Sequence, residues 1–189
     1  MKLLLLALAL LNPVERLDWA VAREVQAARR PALEELMSEA SAIGRPAVVA
    51  GGLVVVLAVD LGTGGGWGTV RLALAALGGT NLTVEVLKRA VGRARPDGEQ
   101  KRSNSSFPSS HAANAFALAW VLAARWRRLG PLWFALALLV AASRLYLNRH
   151  FFSDVAAGVL IGLACAWLAA RWLPVAARRR KPVEATPGA

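Results

Sequence analysis

The chain has two histidines, His111 and His150. The first directly follows Ser109 and Ser110, and the second stands four positions before Asp154. Residues four apart share one face of a helix, so His150 and Asp154 can hydrogen-bond there. That pairing fixes the imidazole tautomer and leaves the other ring nitrogen free to attack. Three cations, Lys88, Arg95 and Arg144, accompany the histidines. Brought together they repel one another unless an anion lies between them. A guanidinium fork matches phosphate oxygens, and an ammonium adds a point charge. Ser109 and Ser110 follow Pro108 at a helix start, where free N–H groups and the helix dipole favour an anion. No carboxylate pair or histidine triad suits a metal. The single Cys165 excludes an intrachain disulfide and a cysteine-based zinc site.

Each residue alone has a plainer role. A lone Arg at a helix end usually anchors by snorkelling, a lone His is usually structural, and Asp154 suits a helix N-terminus. The joint placement is what those roles do not explain. It depends on elements that bring residues 88 to 154 to one side of a membrane.

Those elements are apolar helices. Of 189 residues 56% are apolar, and the 16 glycines bring the share to roughly 64%, against about 45–50% in soluble proteins. The net charge is +11, with 19 Arg among 23 cations. Aromatics do not alternate with the basic clusters as a nucleic-acid stacking surface requires. The partners expected are therefore the membrane bilayer, with its lipid or a phosphorylated substrate as the ligand, and not nucleic acid. Residues 1–13 read as an apolar anchor or short span, with a signal-peptide core as the alternative. From Val14 to Ala42, Leu17, Val21, Val25, Ala28, Leu33 and Leu36 recur at helical spacing, interrupted by Pro31. They read as one or two amphipathic helices on the membrane surface, or as a solvated helical cap. Spans are expected over 46–61, 67–87, 108–126, 132–147 and 152–173. The fold class is all-α, a polytopic membrane helix bundle of about five to six spans behind an N-terminal amphipathic segment. Residues 14–174 form its domain, and 175–189 form a basic, disordered tail. Two crossings separate His111 from Arg144. Lys88, Arg95, His111, Arg144, His150 and Asp154 therefore converge on one face, and the 125–128 turn and the tail lie on the other.

Lys88-(six residues)-Arg95-Pro96, Pro108-Ser109-Ser110-His111 and Ser143-Arg144-(five residues)-His150-(three residues)-Asp154 together resemble the three-part signature of the type 2 phosphatidic acid phosphatase superfamily. The one departure is Ser110, where that family most often has Gly; a backbone N–H is still available there. The resemblance implies a metal-independent membrane phosphatase with no cofactor. His150 would attack phosphorus and form a phosphohistidine, and Asp154 would orient it. His111 would protonate the leaving oxygen and then activate water. Lys88, Arg95, Ser109, Ser110 and Arg144 would hold the phosphoryl oxygens. The substrate expected is a lipid phosphate or diphosphate of the undecaprenyl diphosphate, phosphatidylglycerophosphate or phosphatidic acid type. A phosphotransferase, and a non-catalytic protein that binds anionic lipid heads, are the competing readings. Charge places the 125–128 turn and the tail in the cytoplasm and the site at the periplasm or exterior of the inner membrane.

Overall fold

Small residues determine how closely the helices of this chain approach one another, and so where the polar ends meet. The computed structural model describes residues 2–64, 66–99 and 105–173, without the side chains of 2–12. The expected tail at 175–189, the loop segment 100–104 and the side chains of the apolar anchor lie outside the described residues. Seven α-helices follow in order: α1 Lys2–Ala27, α2 Pro31–Ile43, α3 Pro46–Gly62, α4 Gly68–Val91, α5 Ser110–Arg125, α6 Gly130–Tyr146 and α7 Phe152–Trp172, with a 3₁₀ turn at Arg127–Leu129. Among the described residues there is no strand.

Helix α5 lies between α4, α6 and α7. It carries Ala112, Ala113, Ala117 and Ala119 into the interior, all fully or nearly fully buried. Gly158 and Gly162 of α7 face it. A methyl group at Gly158 would lie 2.5 Å from the Ser109 carbonyl oxygen, and one at Gly162 would fall onto the Ala113 carbonyl. This is the small-xxx-small contact by which membrane helices gain packing energy where lipid supplies no hydrophobic drive between them. It sets the start of α7 against the start of α5. Leu72, Ala73, Ala76 and Leu77 of α4 complete the core with Val121 and Ala166. Val54, Leu74, Leu82, Leu138 and Leu160 point outward as an apolar belt.

The helix ends follow local chemistry. Gly92 takes a left-handed φ of 61° and its N–H donates to the Lys88 carbonyl at 3.0 Å, which stops α4. Pro31 and Pro46 open α2 and α3, where a missing N–H costs nothing. Ser109 caps α5 through its hydroxyl oxygen. Helix α1 runs unbroken through Pro13, so the apolar anchor and the first amphipathic segment form one rod.

Among the described residues, three helical segments are long and apolar enough to cross a membrane: Gly68–Val91, Arg127–Tyr146 and Phe152–Trp172. Helices α2 and α3, bent by 60° at their junction, would make a fourth. Helix α5 has only 16 residues, so the expected span at 108–126 is shorter than a usual crossing. It is enclosed by its neighbours and its first turn begins at the polar site.

Candidate active site

Four helix ends meet at one end of the bundle. The end of α4 brings Lys88, the start of α5 brings Ser109, Ser110 and His111, the end of α6 brings Arg144, and α7 opens just after His150. The segment between α4 and α5 adds Arg95. Lys88, Arg95, Ser109, Arg144, His150 and Asp154 are all buried.

His150 lies in the turn before α7, not on the helix. Its Nδ1 is 2.7 Å from the Ser106 carbonyl oxygen, and a carbonyl can only accept. Nδ1 therefore carries the proton, and Nε2 keeps its lone pair in the neutral ring. The expected bond to Asp154 is not made; Nδ1 and Asp154 Oδ2 are 3.9 Å apart. The physical reason is that α7 begins at Phe152, so the four-residue helical spacing does not apply. Asp154 acts one step removed. Its Oδ2 accepts from the Ser106 hydroxyl at 2.6 Å and from the Phe151 N–H at 2.8 Å. The first bond fixes the residue whose carbonyl holds His150.

Burial pushes the His150 imidazole well below its usual pKa, and the charges of Arg144, Arg95 and Lys88 push it further. The ring is neutral at neutral pH. The same three cations, with Arg45, lie within electrostatic reach of His111. Lys88 Nζ donates to the Ser105 carbonyl at 2.6 Å, which uses one of its three N–H groups. Arg144 donates through Nη1 to the Ser41 hydroxyl, and its buried Nε has no partner. Ser109 Oγ accepts weakly from the Ala112 N–H at 3.5 Å, which leaves its O–H able to donate. The site rim is tied by Arg149, which pairs with Asp97 at 2.9 Å. Slight burial opposes the charge of Asp97, but the Glu99 N–H and Arg149 hold its carboxyl below the usual range. Desolvation lowers the Arg95 pKa, aided by the charge of Arg149.

The family model described as the PAP2 superfamily matches residues 69–178. The chain belongs to that superfamily. Phosphatidylglycerophosphatase B of Bacillus subtilis is 31% identical to it over 170 residues, 80% of this chain and 81% of the relative. Lipid A 1-phosphatase of Porphyromonas gingivalis is 35% identical over 106 residues, 51% of this chain. The chain spans only 22% of the length of that relative. Among solved structures, the transmembrane PAP2 type phosphatidylglycerolphosphate phosphatase from Bacillus subtilis superposes with a TM-score of 0.76 at 27% identity. That superposition covers 89% of this chain and 90% of the other. At the level of the family, the chain is a membrane lipid phosphatase.

The PAP2 signature residues do not complete the site alone. Arg93 binds Asp154 Oδ1 through Nη1 and Asp18 Oδ2 through Nη2, both at 2.7 Å. Burial opposes its charge, but the bonds and charges of Asp18 and Asp154 outweigh that and raise its pKa. Ser106, Ser153, Asp18 and Ser41 also take part. Asp18 and Ser41 precede the family match, and no local pattern marks either as a partner of residues far along the chain. Arg93 had one signal: it is, with Arg89, one of two cations between Lys88 and Arg95 that the signature leaves unexplained.

Proposed function

We propose that this PAP2 member hydrolyses a lipid phosphate or diphosphate through a phosphohistidine on His150, without a metal. The observation that carries this reading is a neutral His150, with Nδ1 engaged by Ser106, set among Lys88, Arg95 and Arg144. The Nε2 lone pair forms a bond to phosphorus as the bond from phosphorus to the lipid oxygen breaks. His111 hands that oxygen a proton, then takes one from the water that attacks the phosphohistidine and releases phosphate. Lys88, Arg95 and Arg144, with the Ser109 and Ser110 groups at the start of α5, bind the phosphoryl oxygens and offset the charge of the transition state. The partnerless Nε of Arg144 suits one such oxygen.

A second feature supports a lipid leaving group. An apolar cleft of about 140 Å³ lies between α3, α5 and α6, with Gly44 and Val140 at one end and Leu122 and Trp133 at the other. Gly44 borders the His111 ring; a methyl group there would lie 2.7 Å from its Cδ2. The cleft thus begins at the proposed leaving-group acid. Its volume matches a dry cavity that holds one benzene-sized apolar body, roughly 150 Å³, enough for a short stretch of one chain.

Phosphate release from undecaprenyl diphosphate, phosphatidylglycerophosphate and phosphatidic acid by the purified protein tests the reading. Release from at least one, unaffected by EDTA and inhibited by vanadate, is expected. No release from any of the three, or loss in chelator restored by Mg²⁺, overturns it. The proposed location is the cell membrane, with the site facing the periplasm or exterior and the C-terminus in the cytoplasm. Arg125, Arg127 and Arg128 at the opposite end of the bundle support that orientation. A cysteine in the 97–104 loop, in a Cys165→Ser background, is expected to react with an impermeant thiol reagent on intact cells; protection there reverses the orientation.

A further inference from the structure

Helix α1 reaches the site through Asp18, whose residue exposure is 1%. Helix α7 needs an acceptor there. Its N-cap residue is Phe151, whose side chain has no hydrogen-bonding atom, and the first N–H groups of a helix have no partner within it. Asp18 supplies the acceptor from another helix. Its Oδ1 accepts from the Ser153 N–H at 2.8 Å, and its Oδ2 accepts from the Ser153 hydroxyl at 2.5 Å. Oδ2 also accepts from Arg93 Nη2 at 2.7 Å, and Arg93 Nη1 holds Asp154 Oδ1 at the same distance. A carboxylate–guanidinium–carboxylate bridge therefore runs from α1 to the start of α7. Trp19, next in sequence, packs edge-on against Phe151 with ring centroids 5.0 Å apart, and the Arg93 guanidinium lies 4.3 Å from that ring centroid. Phe151 adjoins His150.

We propose that Asp18 is a positioning residue: through Ser153 and Arg93 it holds Asp154 and the first turn of α7, and with them His150, in the geometry for attack on phosphorus. This rests on the reading of His150 as the nucleophile. Helix α1 and the link that follows it have ties besides Asp18. Gln26 Nε2 donates to the Leu145 and Tyr146 carbonyls at 3.3 and 3.2 Å, and the Arg30 N–H donates to the Tyr146 hydroxyl at 2.7 Å. Loss of the Asp18 charge leaves these ties to α6 in place and releases the start of α7.

The test combines kinetics with a readout independent of turnover. Asp18→Asn is expected to lower kcat roughly 10–100-fold, the scale of a small misplacement of a reacting group. KM stays within about twofold, because Asp18 does not touch substrate. Arg93→Lys, which keeps the charge but not the two-armed bridge, is expected to do the same, and it carries the test if Asp18→Asn does not fold. The double variant is expected to be no slower than the worse single one, because both break one bridge. Kinetic losses that multiply, or a kcat within twofold of the parent, overturn the proposal. In the ¹⁵N-histidine NMR spectrum, which contains two imidazoles, Asp18→Asn is expected to shift the His150 signals; unchanged signals also overturn it. If the parent protein releases phosphate from no substrate, the functional reading fails, and the NMR comparison still decides the bridge.

Discussion

At the far end of the bundle, Arg125 of α5 meets Asp60 of α3 at 2.7 Å, with the Asp60 side chain fully buried. It also donates to the Thr63 hydroxyl at 3.3 Å. At the site end, Arg144 of α6 is buried but donates to the neutral Ser41 hydroxyl and keeps Nε without a partner. The carboxylates of Asp18 and Asp154 both bind Arg93. Burial of a charge is costly unless a counter-charge is close. Asp60 answers that cost for Arg125 and makes a staple between two helices. Arg144 has no such answer within the hydrogen bonds it makes, and an arriving phosphate can supply one. On the proposed function, the difference separates a cation that holds the fold from one held ready for a ligand.

The sharpest way to break this contrast is at the nucleophile. His150→Ala is expected to lower phosphate release by at least about 10⁴-fold, since no phosphoenzyme can form. Acid-labile radioactive phosphate trapped on the chain of a His111→Ala variant, and absent from His150→Ala, would confirm the division of roles. Label on the His150 variant would assign the attack elsewhere.

Next in size is the far end. Asp60→Ala leaves Arg125 buried without its partner and is expected to reduce stability by about 3–5 kcal/mol, the usual cost of breaking a buried pair from one side. Thermal unfolding in detergent measures this, and the fraction still folded is expected to keep near-parent kcat. A large loss of kcat without loss of stability would join the far end to the chemistry. Arg144→Lys inverts that pattern. It keeps the charge, loses the planar fork, and is expected to reduce kcat/KM about tenfold, roughly 1.4 kcal/mol of transition-state stabilisation, with little change in melting. Equal kinetics would remove Arg144 from the phosphate grip.

The smallest effect concerns protonation. Desolvation and the three cations hold the His150 pKa well below its ordinary value. Lowering the pH from 7 to 6 should therefore leave the ring neutral. Arg144→Gln removes one repelling charge and should move the His150 pKa upward, toward the ordinary 6.5, as read by ¹⁵N-histidine titration. A His150 that protonates at its ordinary value in the parent protein would contradict the buried, cation-flanked geometry.

The polar residues of α4 through α7 were legible in the sequence because their order fixes how often the chain crosses between them. Lys88, Arg95, His111, Arg144, His150 and Asp154 fall at one end of the bundle for that reason. The finer wiring was not legible. The four-residue spacing of His150 and Asp154 suggested a direct bond, but it presumes a helix at His150, and the chain turns there instead. Asp18 and Ser41 act across more than 100 residues, and periodicity carries no information about such pairs. The close approach of Gly158 and Gly162 to α5 depends on which face of α7 meets α5, which sequence spacing alone does not decide. The expectation of about five to six spans counted α3 and α5 as crossings, and both are shorter than the usual length. Among the described residues three helices are long and apolar enough to cross, and α2 with α3, bent by 60°, make a fourth if they form one span.

The contact between Asp18 and Ser153 joins positions 135 apart in the chain. During translation at about 5–20 residues per second, roughly 7–27 seconds separate the emergence of the two residues from the ribosome. Arg93, 75 positions after Asp18, emerges partway through that interval, and the start of α7 comes only at its end. Lys88 and Arg95 are made before His150, so the growing polypeptide carries the proposed anion-binding groups before the proposed nucleophile. If Asp18 positions the site as proposed, the final geometry waits for α7 to dock against α1, and catalytic competence is a late event of biogenesis.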